Sequence, residues 1–170
     1  AFNMGNADLK PESSINYEAG LMWDAANGIN AGATVYYTEF EDQIGRKVIC
    51  DTRDGSDPVC EVNGVQRQYI NQYTNHDSAE LRGVELFFNV PLGPVDLKTN
   101  YTYSDSEITE SKDSPESVGQ PFNNLPKHMV NVGVDWAATE ALGVWAKARY
   151  KSSTVEDSSS QLPSYTLVDV

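Results

Sequence analysis

The sequence predicts an all-β protein, and within that class an antiparallel up-and-down segment of a transmembrane β-barrel. Three observations support this prediction. Apolar and polar residues alternate along about seven stretches, short turns alternate with long polar loops, and aromatic residues gather near the ends of the stretches. Strict alternation gives each strand one apolar and one polar face, because successive side chains point to opposite sides.

Residues 15–23 and 29–37 predict the first two strands. In the first, the odd positions from Ile15 to Trp23 are apolar and the even positions include polar residues. The second repeats this period of two residues. Between them, residues 25–28 read AANG, which are turn residues.

Residues 82–90 and 95–104 predict the next hairpin. Residues 91–94 read PLGP and form its tight turn. The apolar face of the third strand begins at Val84, and Leu81 is out of phase with it. Gly83 therefore predicts a β-bulge.

Residues 130–136, 144–151 and 165–170 predict the last three strands. The first two are joined by a short turn near residues 137–141. The third follows a polar loop and continues to the last residue of the sequence. We expect the chain to be a piece of a larger barrel, since seven strands are an odd number and such barrels have an even one.

The connections indicate which end of the barrel is which. Short turns and long polar loops (42–68, 105–124 and 152–163) alternate strictly, so each kind falls at one end of the sheet. Outer-membrane barrels have short periplasmic turns and longer external loops.

The predicted polar face carries charges that suit a wet lumen, at Glu18, Asp96, Lys98, Asp135, Lys147 and Arg149. Two aromatic belts are predicted on the apolar face, with Trp23 and Trp136 near the short turns and Tyr17, Tyr37, Tyr103, Tyr150 and Tyr165 toward the long loops.

The two cysteines of the chain, Cys50 and Cys60, bracket a loop that reads CDTRDGSDPVC. A cysteine pair around a short polar hairpin favours a disulfide and an oxidising compartment, whereas two unrelated buried thiols are the alternative. His76 and His128 have no zinc-ligand spacing to the cysteines, so no metal site is predicted.

Charge and composition exclude some classes of function. The net charge of −13 makes nucleic acid an unsuitable partner. No stretch approaches the roughly 20 apolar residues of a membrane-spanning helix. No Ser/His/Asp set or carboxylate pair lies near a strand's outer end, so an outer-membrane protease or lipase is not favoured.

Five blocks carry a family resemblance. They are NADLKPE at 6–12 together with YEAG at 17–20, YYTEFEDQI at 36–44, NHDSAELRGVE at 75–85, NYTY at 100–103 and NNLPKH at 123–128. With these blocks the chain resembles the β-barrels of TonB-dependent outer-membrane receptors, with Ser78 at a position where that family often has Lys. Within the family it is most similar to the receptors for catecholate siderophores such as ferric enterobactin, some of which also serve as colicin receptors.

The resemblance implies a multi-pass protein of the bacterial outer membrane that is no enzyme and holds no cofactor. Residues 1–170 would belong to a barrel of about 22 strands. We expect the plug domain, which contacts TonB, to be absent from this chain. The implied partners are a ferric siderophore as transported ligand, TonB through the plug, the lipid bilayer with its lipopolysaccharide, and colicins or phages at the loops.

The implied ligand, a ferric catecholate siderophore, is a trianion with aromatic rings. Its binding site is therefore expected to contain cationic and aromatic side chains. In the first long loop, Arg67 and Tyr69 are the preferred contacts because they lie just before the third strand. The further candidates there are Arg46, Lys47, Arg53 and Tyr73. The alternative for each is a solvated charge or a packed loop tyrosine.

The second loop is acidic and could instead hold Ca²⁺ or face a protein. Lumen-facing candidates are Lys98, Lys147, Arg149 and Lys151, which could line the ligand's path or pair with plug carboxylates.

Two other readings remain open. Haem or cobalamin could replace the siderophore, although the first loop has only His76 near its end, which weakly disfavours haem. A soluble carbohydrate-binding β-sandwich would use exposed Trp and Tyr to stack on sugars. In that case Leu21, Val132 and Ala146 would be enclosed between two sheets.

Overall fold

The structure, a computed structural model, describes residues 2–53, 57, 59–112, 115–157 and 160–170, and for residues 76 and 157 the backbone only. Within these ranges the chain forms twelve strands and one 3₁₀ turn, Pro115–Ser117. None of the described residues belongs to a helix long and apolar enough to cross a membrane. The strands are β1 (Phe2–Met4), β2 (Ser13–Asp24), β3 (Asn30–Asp51), β4 (Cys60–Val62), β5 (Val65–Arg67), β6 (Tyr69–Leu92), β7 (Val95–Ser111), β8 (His128–Ala137), β9 (Gly143–Lys151), β10 (Thr154–Asp157), β11 (Ser160–Leu162) and β12 (Tyr165–Asp169).

Seven of these strands form a meander in the order β12-β9-β8-β7-β6-β3-β2. The pairs β7–β8, β8–β9 and β9–β12 are antiparallel. The predicted up-and-down order of seven strands is therefore confirmed. Two hairpins, β4–β5 and β10–β11, are inserted between strands of the meander, and β1 pairs in parallel with β6.

Three strands are much longer than predicted. β3 continues to Asp51, β6 begins at Tyr69 and β7 continues to Ser111. Much of the predicted loops 42–68 and 105–124 is therefore strand. The alternation that predicts a strand exists only where one face is apolar. Where both faces are polar, the ladder of backbone hydrogen bonds continues without that signal.

The register of β7, β8 and β9 separates an apolar from a charged face. Thr99 pairs with Val132, and Val132 with Ala148. One residue along, Lys98 and Lys147 both pair with Gly133. Paired residues share a face of the sheet, so both predicted faces are confirmed in these strands.

The apolar face of the sheet is open rather than enclosed. Leu21 is 83% exposed, and Leu86 and Phe88 are also exposed. Among the described residues, the buried hydrophobic side chains are only Cys60, Ile70, Ala79 and Val90. A sandwich would bury its apolar strand faces between two sheets, so the alternative of a soluble β-sandwich is wrong.

One detail of the predicted strands needs correction. Tyr165 pairs with Lys151, and Thr166 pairs with Tyr150, so Tyr165 lies on the charged face and not in the apolar belt. Leu167 and Val168 are both apolar, which leaves the phase of this short strand ambiguous in the sequence. Gly83 lies within β6, and the bulge predicted there stays a prediction.

Two aromatic rings on the charged face lie over glycines of the neighbouring strand. A Cβ atom at Gly32 of β3 would collide with the ring of Phe87 of β6. A Cβ atom at Gly83 of β6 would collide with Tyr36 of β3 and with the carbonyl of Tyr103. Gly83 is therefore required by close approach, which is the other common reason for a strand glycine.

The chain divides into two compact units. The first comprises residues 1–15, 39–79 and 108–118, and the second comprises residues 16–38, 80–107 and 119–170. The first unit holds the cysteine pair and the candidate loop residues. The second holds the candidate lumen residues.

Candidate ligand-binding site

In the first unit a disulfide ties the short hairpin β4–β5 to the end of β3. Cys50 and Cys60 are joined, with their Cα atoms 5.7 Å apart, so the predicted disulfide is confirmed. β4 and β5 are connected through Asn63 and Gly64, which have φ of 51° and 75°. Two successive residues with positive φ are typical of a tight hairpin turn, for which Asn-Gly is the preferred pair. The hairpin register places Arg67 directly opposite Cys60.

Arg53 is held by a carboxylate and by an aromatic ring. Its Nε and Nη2 donate to the two oxygens of Asp51 at 2.8 and 2.6 Å. Its guanidinium also lies 3.9 Å from the ring centre of Tyr69. The hydrogen bonds from Arg53 lower the pKa of Asp51 from 3.8 to about 2. Two of the predicted site residues, Arg53 and Tyr69, are thus in direct contact.

Arg67 lies over a different ring. Its guanidinium is 5.2 Å from the ring centre of Phe2, which the parallel pairing of β1 with β6 brings to this place. Arg67 is exposed, and among the described residues it has no carboxylate within ion-pair distance. It lines a depression of about 250 Å³ whose other walls are Thr52, Val59, Cys60, Gln66 and Gln68.

The remaining candidates of the first loop are more scattered. Arg46 is exposed in β3, and the backbone carbonyl of Tyr73 accepts a hydrogen bond from Asn6. Within the described part of the chain, neither side chain contacts Arg53, Arg67 or Tyr69. Arg46 and Tyr73 therefore stay predictions without a shared geometry.

Cys50, Asp57 and Cys60 lie close together, with one possible ligand atom of each within 4.8 Å of the others. Both cysteines are oxidised in the disulfide, so neither offers the thiolate that binds metals. Asp57 instead accepts a hydrogen bond from the backbone N–H of Asp51 at 2.9 Å. Its role here is to close the loop.

The candidate lumen residues meet in the second unit. Lys98, Lys147 and Arg149 line one depression of about 380 Å³ on the charged face. Lys98 forms an ion pair with Asp135 at 3.1 Å, and the Nε of Arg149 donates to Asn131 at 3.3 Å. Lys98 lies on β7 and the other two cations lie on β9, and the register with β8 between them brings the three together.

Two parts of the first-unit site were missed by the sequence reasoning. Phe2 had no local signal, because its approach to Arg67 depends on a parallel pairing between residues 68 positions apart. Asp51 had a weak signal. It precedes Arg53 by two residues within a cysteine-bracketed turn, a spacing at which a carboxylate can fold back on the backbone.

The chain belongs to the TonB-dependent receptor family. A family model described as TonB dependent receptor-like, beta-barrel matches residues 1–170. The iron-regulated outer membrane virulence protein of Vibrio cholerae is 34% identical over 97% of this chain and 25% of its own length. The ferric enterobactin receptor of Pseudomonas aeruginosa is 28% identical over 84% of this chain and 18% of its own length.

Solved structures show the same fold. The siderophore receptor PiuA of Acinetobacter baumannii superposes with a TM-score of 0.72 at 22% identity, over 96% of this chain and 22% of that one. A ferric enterobactin receptor variant of Pseudomonas aeruginosa in complex with enterobactin gives a TM-score of 0.68 at 23% identity, over 98% and 24%. The predicted barrel fold is confirmed. The chain spans about a quarter of the length of the first relatives, and the family consists of receptors and transporters.

Proposed function

We propose that this chain forms part of the barrel wall and external surface of an outer-membrane receptor for a ferric catecholate siderophore, with uptake driven through TonB. The family match and a relative named as a ferric enterobactin receptor support this proposal. A ferric tris-catecholate is an aromatic trianion, so its recognition needs exposed cations beside aromatic rings. The first unit offers this combination twice, at Arg53 with Tyr69 and at Arg67 with Phe2.

Of the two arginines, Arg67 is the better ligand contact. Arg53 already donates to both oxygens of Asp51, so an anionic ligand would have to compete with a charge-assisted pair. Arg67 presents its donors to solvent. Its place opposite Cys60 is the observation that carries the proposal, because the disulfide fixes the strand that positions it.

The ordering of this hairpin before the ligand arrives favours binding. Each rotamer-rich side chain or loop that is immobilised on binding reduces the affinity. The disulfide and the stacking of Arg67 over Phe2 remove part of that freedom in advance. The site therefore gives up less conformational entropy when it captures its ligand.

The charged face of the second unit is proposed to look into the water-filled interior of the barrel. Lys98, Lys147 and Arg149 there would contact carboxylates of the plug or the passing anionic complex. Transport involves no covalent chemistry by these residues. TonB would act through the plug.

Cobalamin uptake is the second candidate, because a relative 26% identical over 98% of this chain is named as vitamin B12 transporter BtuB of Photobacterium profundum. The two substrates differ in negative charge, which is the property that the guanidinium of Arg67 would recognise. A corrinoid lacks the three catecholate charges that a guanidinium would bind. Loss of the guanidinium should therefore affect a siderophore far more than cobalamin.

The test uses the full-length receptor that contains this chain. Arg67→Ala should weaken binding of labelled ferric enterobactin by about tenfold to a hundredfold, as expected for hydrogen bonds from a charged donor. The matched control is Lys112→Ala, which removes an exposed cation from the acidic second loop. Equal binding by wild type and Arg67→Ala would remove the proposed contact. Uptake of cobalamin without uptake of the ferric complex would establish the second candidate instead.

A further inference from the structure

The disulfide of the first unit has a carboxylate beside it. One oxygen of Asp57 and the sulfurs of Cys50 and Cys60 all lie within 4.8 Å of one another. Cys60 is buried and Cys50 is half-buried. Thiolate sulfur and carboxylate oxygen both bind Zn²⁺, whereas a sulfur in a disulfide does not. The three side chains therefore become a set of metal ligands only when the disulfide is reduced.

Hydrogen bonds hold the carboxylate in place without help from the disulfide. Asp57 accepts from the backbone N–H of Asp51 at 2.9 Å, and its own N–H donates to the Asp51 carbonyl at 3.3 Å. Asp51 directly follows Cys50 at the end of β3, so these two bonds keep Asp57 beside Cys50. A carboxylate has a second oxygen, which can bind a cation while the bond to Asp51 is kept.

A second set of hydrogen bonds keeps Cys60 near Cys50. Thr52 donates to the carbonyl of Gln68 from its backbone N–H at 3.0 Å and from its hydroxyl at 3.2 Å. Arg67, which precedes Gln68, pairs with Cys60 in the hairpin β4–β5. Non-covalent contacts therefore lead from one cysteine to the other, and the two thiols of the reduced protein stay neighbours.

The distance between the cysteines suits a tetrahedral metal ion. With Zn–S bonds of about 2.3 Å and tetrahedral angles, two sulfurs that bind the same ion lie about 3.8 Å apart. The Cα atoms of Cys50 and Cys60 are 5.7 Å apart. Rotation about the two Cα–Cβ bonds brings the free sulfurs to the required separation, so the strands themselves need not move.

The charges at this loop also favour a cation. Two thiolates and Asp57 supply three negative charges, which exceed the two positive charges of Zn²⁺. Two arginines of this region are directed elsewhere. Arg53 donates to both oxygens of Asp51, and the guanidinium of Arg67 lies over the ring of Phe2.

We propose that reduction converts this loop into a Zn²⁺ site, with Cys50, Asp57 and Cys60 as ligands and water in the fourth position. A dithiol gives two electrons and two protons to the sulfurs and is itself oxidised to a disulfide. When the ion binds, two S–Zn bonds form and both thiol protons pass to solvent. The metal then joins β4 to the end of β3 in place of the covalent bond.

The test measures Zn²⁺ binding by the full-length receptor in detergent, by competition with a chromophoric chelator. The receptor is used oxidised, and again after reduction by a dithiol that is then removed under argon. Reduced wild type should bind one more Zn²⁺ than reduced C50S/C60S, which accounts for thiols outside this chain, whereas the two oxidised proteins should bind alike. Co²⁺ should give a thiolate-to-cobalt charge-transfer band that reduced C50S/C60S lacks. Equal Zn²⁺ binding by the two reduced proteins would overturn the proposal.

The variant D57N tests the carboxylate, because asparagine keeps an acceptor for the Asp51 N–H. It should weaken Zn²⁺ binding by the reduced receptor about tenfold to a hundredfold, at least as much as the loss of an outer-shell partner of a metal. The matched control is E61Q, since Glu61 follows Cys60 in β4 and alternate residues point to opposite faces. This variant should bind as wild type does. Wild-type affinity in D57N would contradict the three-ligand site.

A second readout follows the order of the loop. Reduction should speed proteolysis between residues 50 and 60, and Zn²⁺ should restore the resistance of reduced wild type but not that of C50S/C60S. No protection by Zn²⁺ would refute the role of the metal as a replacement for the disulfide. Neither readout involves the siderophore, so failure of this proposal and failure of the proposed function are distinguishable.

Discussion

The side-chain amide of Asn75 both accepts a hydrogen bond from the backbone of Lys10 and donates one to it. Its Oδ1 accepts from the Lys10 N–H at 2.7 Å, and its Nδ2 donates to the Lys10 carbonyl at 2.9 Å. The same Nδ2 is 2.6 Å from the carbonyl of Asp42, a residue with φ of 55°. One amide thus ties three chain segments of the first unit. All three segments carry blocks that resemble the receptor family.

Asn75→Ala should therefore loosen the segment around Lys10. Each lost hydrogen bond that leaves a backbone group unsatisfied costs about 1–3 kcal/mol. The measurement is hydrogen exchange of the peptide that contains residues 6–12, which should speed up by about tenfold or more. Asn75→Asp is the control that keeps an acceptor for the Lys10 N–H but loses the donor. It should give an effect at least as large, and unchanged exchange in both variants would contradict this role.

Gly83→Ala should destabilise the barrel. The new methyl group would collide with the carbonyl of Tyr103, which is backbone and cannot move aside cheaply, and with Tyr36. Overpacking of this kind costs about 1–3 kcal/mol. Urea unfolding of the full-length receptor in detergent would measure it. The control is Gly133→Ala, where the nearest atoms are 3.9 Å away and no loss of stability is expected.

Replacement of Cys50 and Cys60 together by serine should open the loop between them and release β4 from the end of β3. A disulfide that closes a loop this short stabilises it by roughly 2–3 kcal/mol in the chain-entropy account. Limited proteolysis between the two positions should become faster, and ferric enterobactin binding should weaken. Dithiothreitol should have the same effect on wild type and none on the double variant. An effect of the reductant on the double variant would point to another target.

Acid should release Arg53 from Asp51. The pKa of Asp51 is 3.8 ordinarily and about 2 in the folded protein, so the carboxylate is favoured by folding. The stabilisation by this pair is fully present above about pH 4 and is lost as the pH falls toward 2. Nuclear magnetic resonance of the Arg53 Nε–H, or proteolysis at acid pH, would follow the release. Asp51→Asn should remove this pH dependence and leave the loop loosened at neutral pH.

Substitutions to arginine on the two faces of β8 should differ sharply in their effect on folding into a membrane. Val132 pairs with Thr99, which is midway along residues 95–103, so Val132→Arg places a charge near the bilayer midplane. That costs about 2–4 kcal/mol in outer-membrane barrels. Asn131→Arg changes the adjacent residue on the charged face, where water screens the new charge from Arg149. Folding into lipid vesicles should fail or weaken for the first variant only, and equal tolerance would contradict the assignment of the faces.

Local patterns in the sequence were enough to predict the seven strands of the meander, the faces of most of them and the disulfide. Alternation depends on neighbouring residues, and so does a cysteine pair ten positions apart. The contact of Arg67 with Phe2 depends instead on a pairing across many residues. The ends of β3, β6 and β7 toward the long loops gave no alternation because neither of their faces is consistently apolar. The last strand was placed one residue out of phase because Leu167 and Val168 are both apolar.

The rings that lie over Gly32 and Gly83 bear on how a barrel of this kind is assembled. A slip of two residues between β3 and β6 would keep every apolar side chain toward lipid, so hydrophobicity alone does not penalise it. Such a slip would drive Phe87 against Asn30 or Thr34, and Tyr36 against Leu81 or Glu85, in place of the two glycines. The two ring-and-glycine pairs therefore favour one register of β3 against β6 during insertion. They disfavour the registers that are shifted by two residues in either direction.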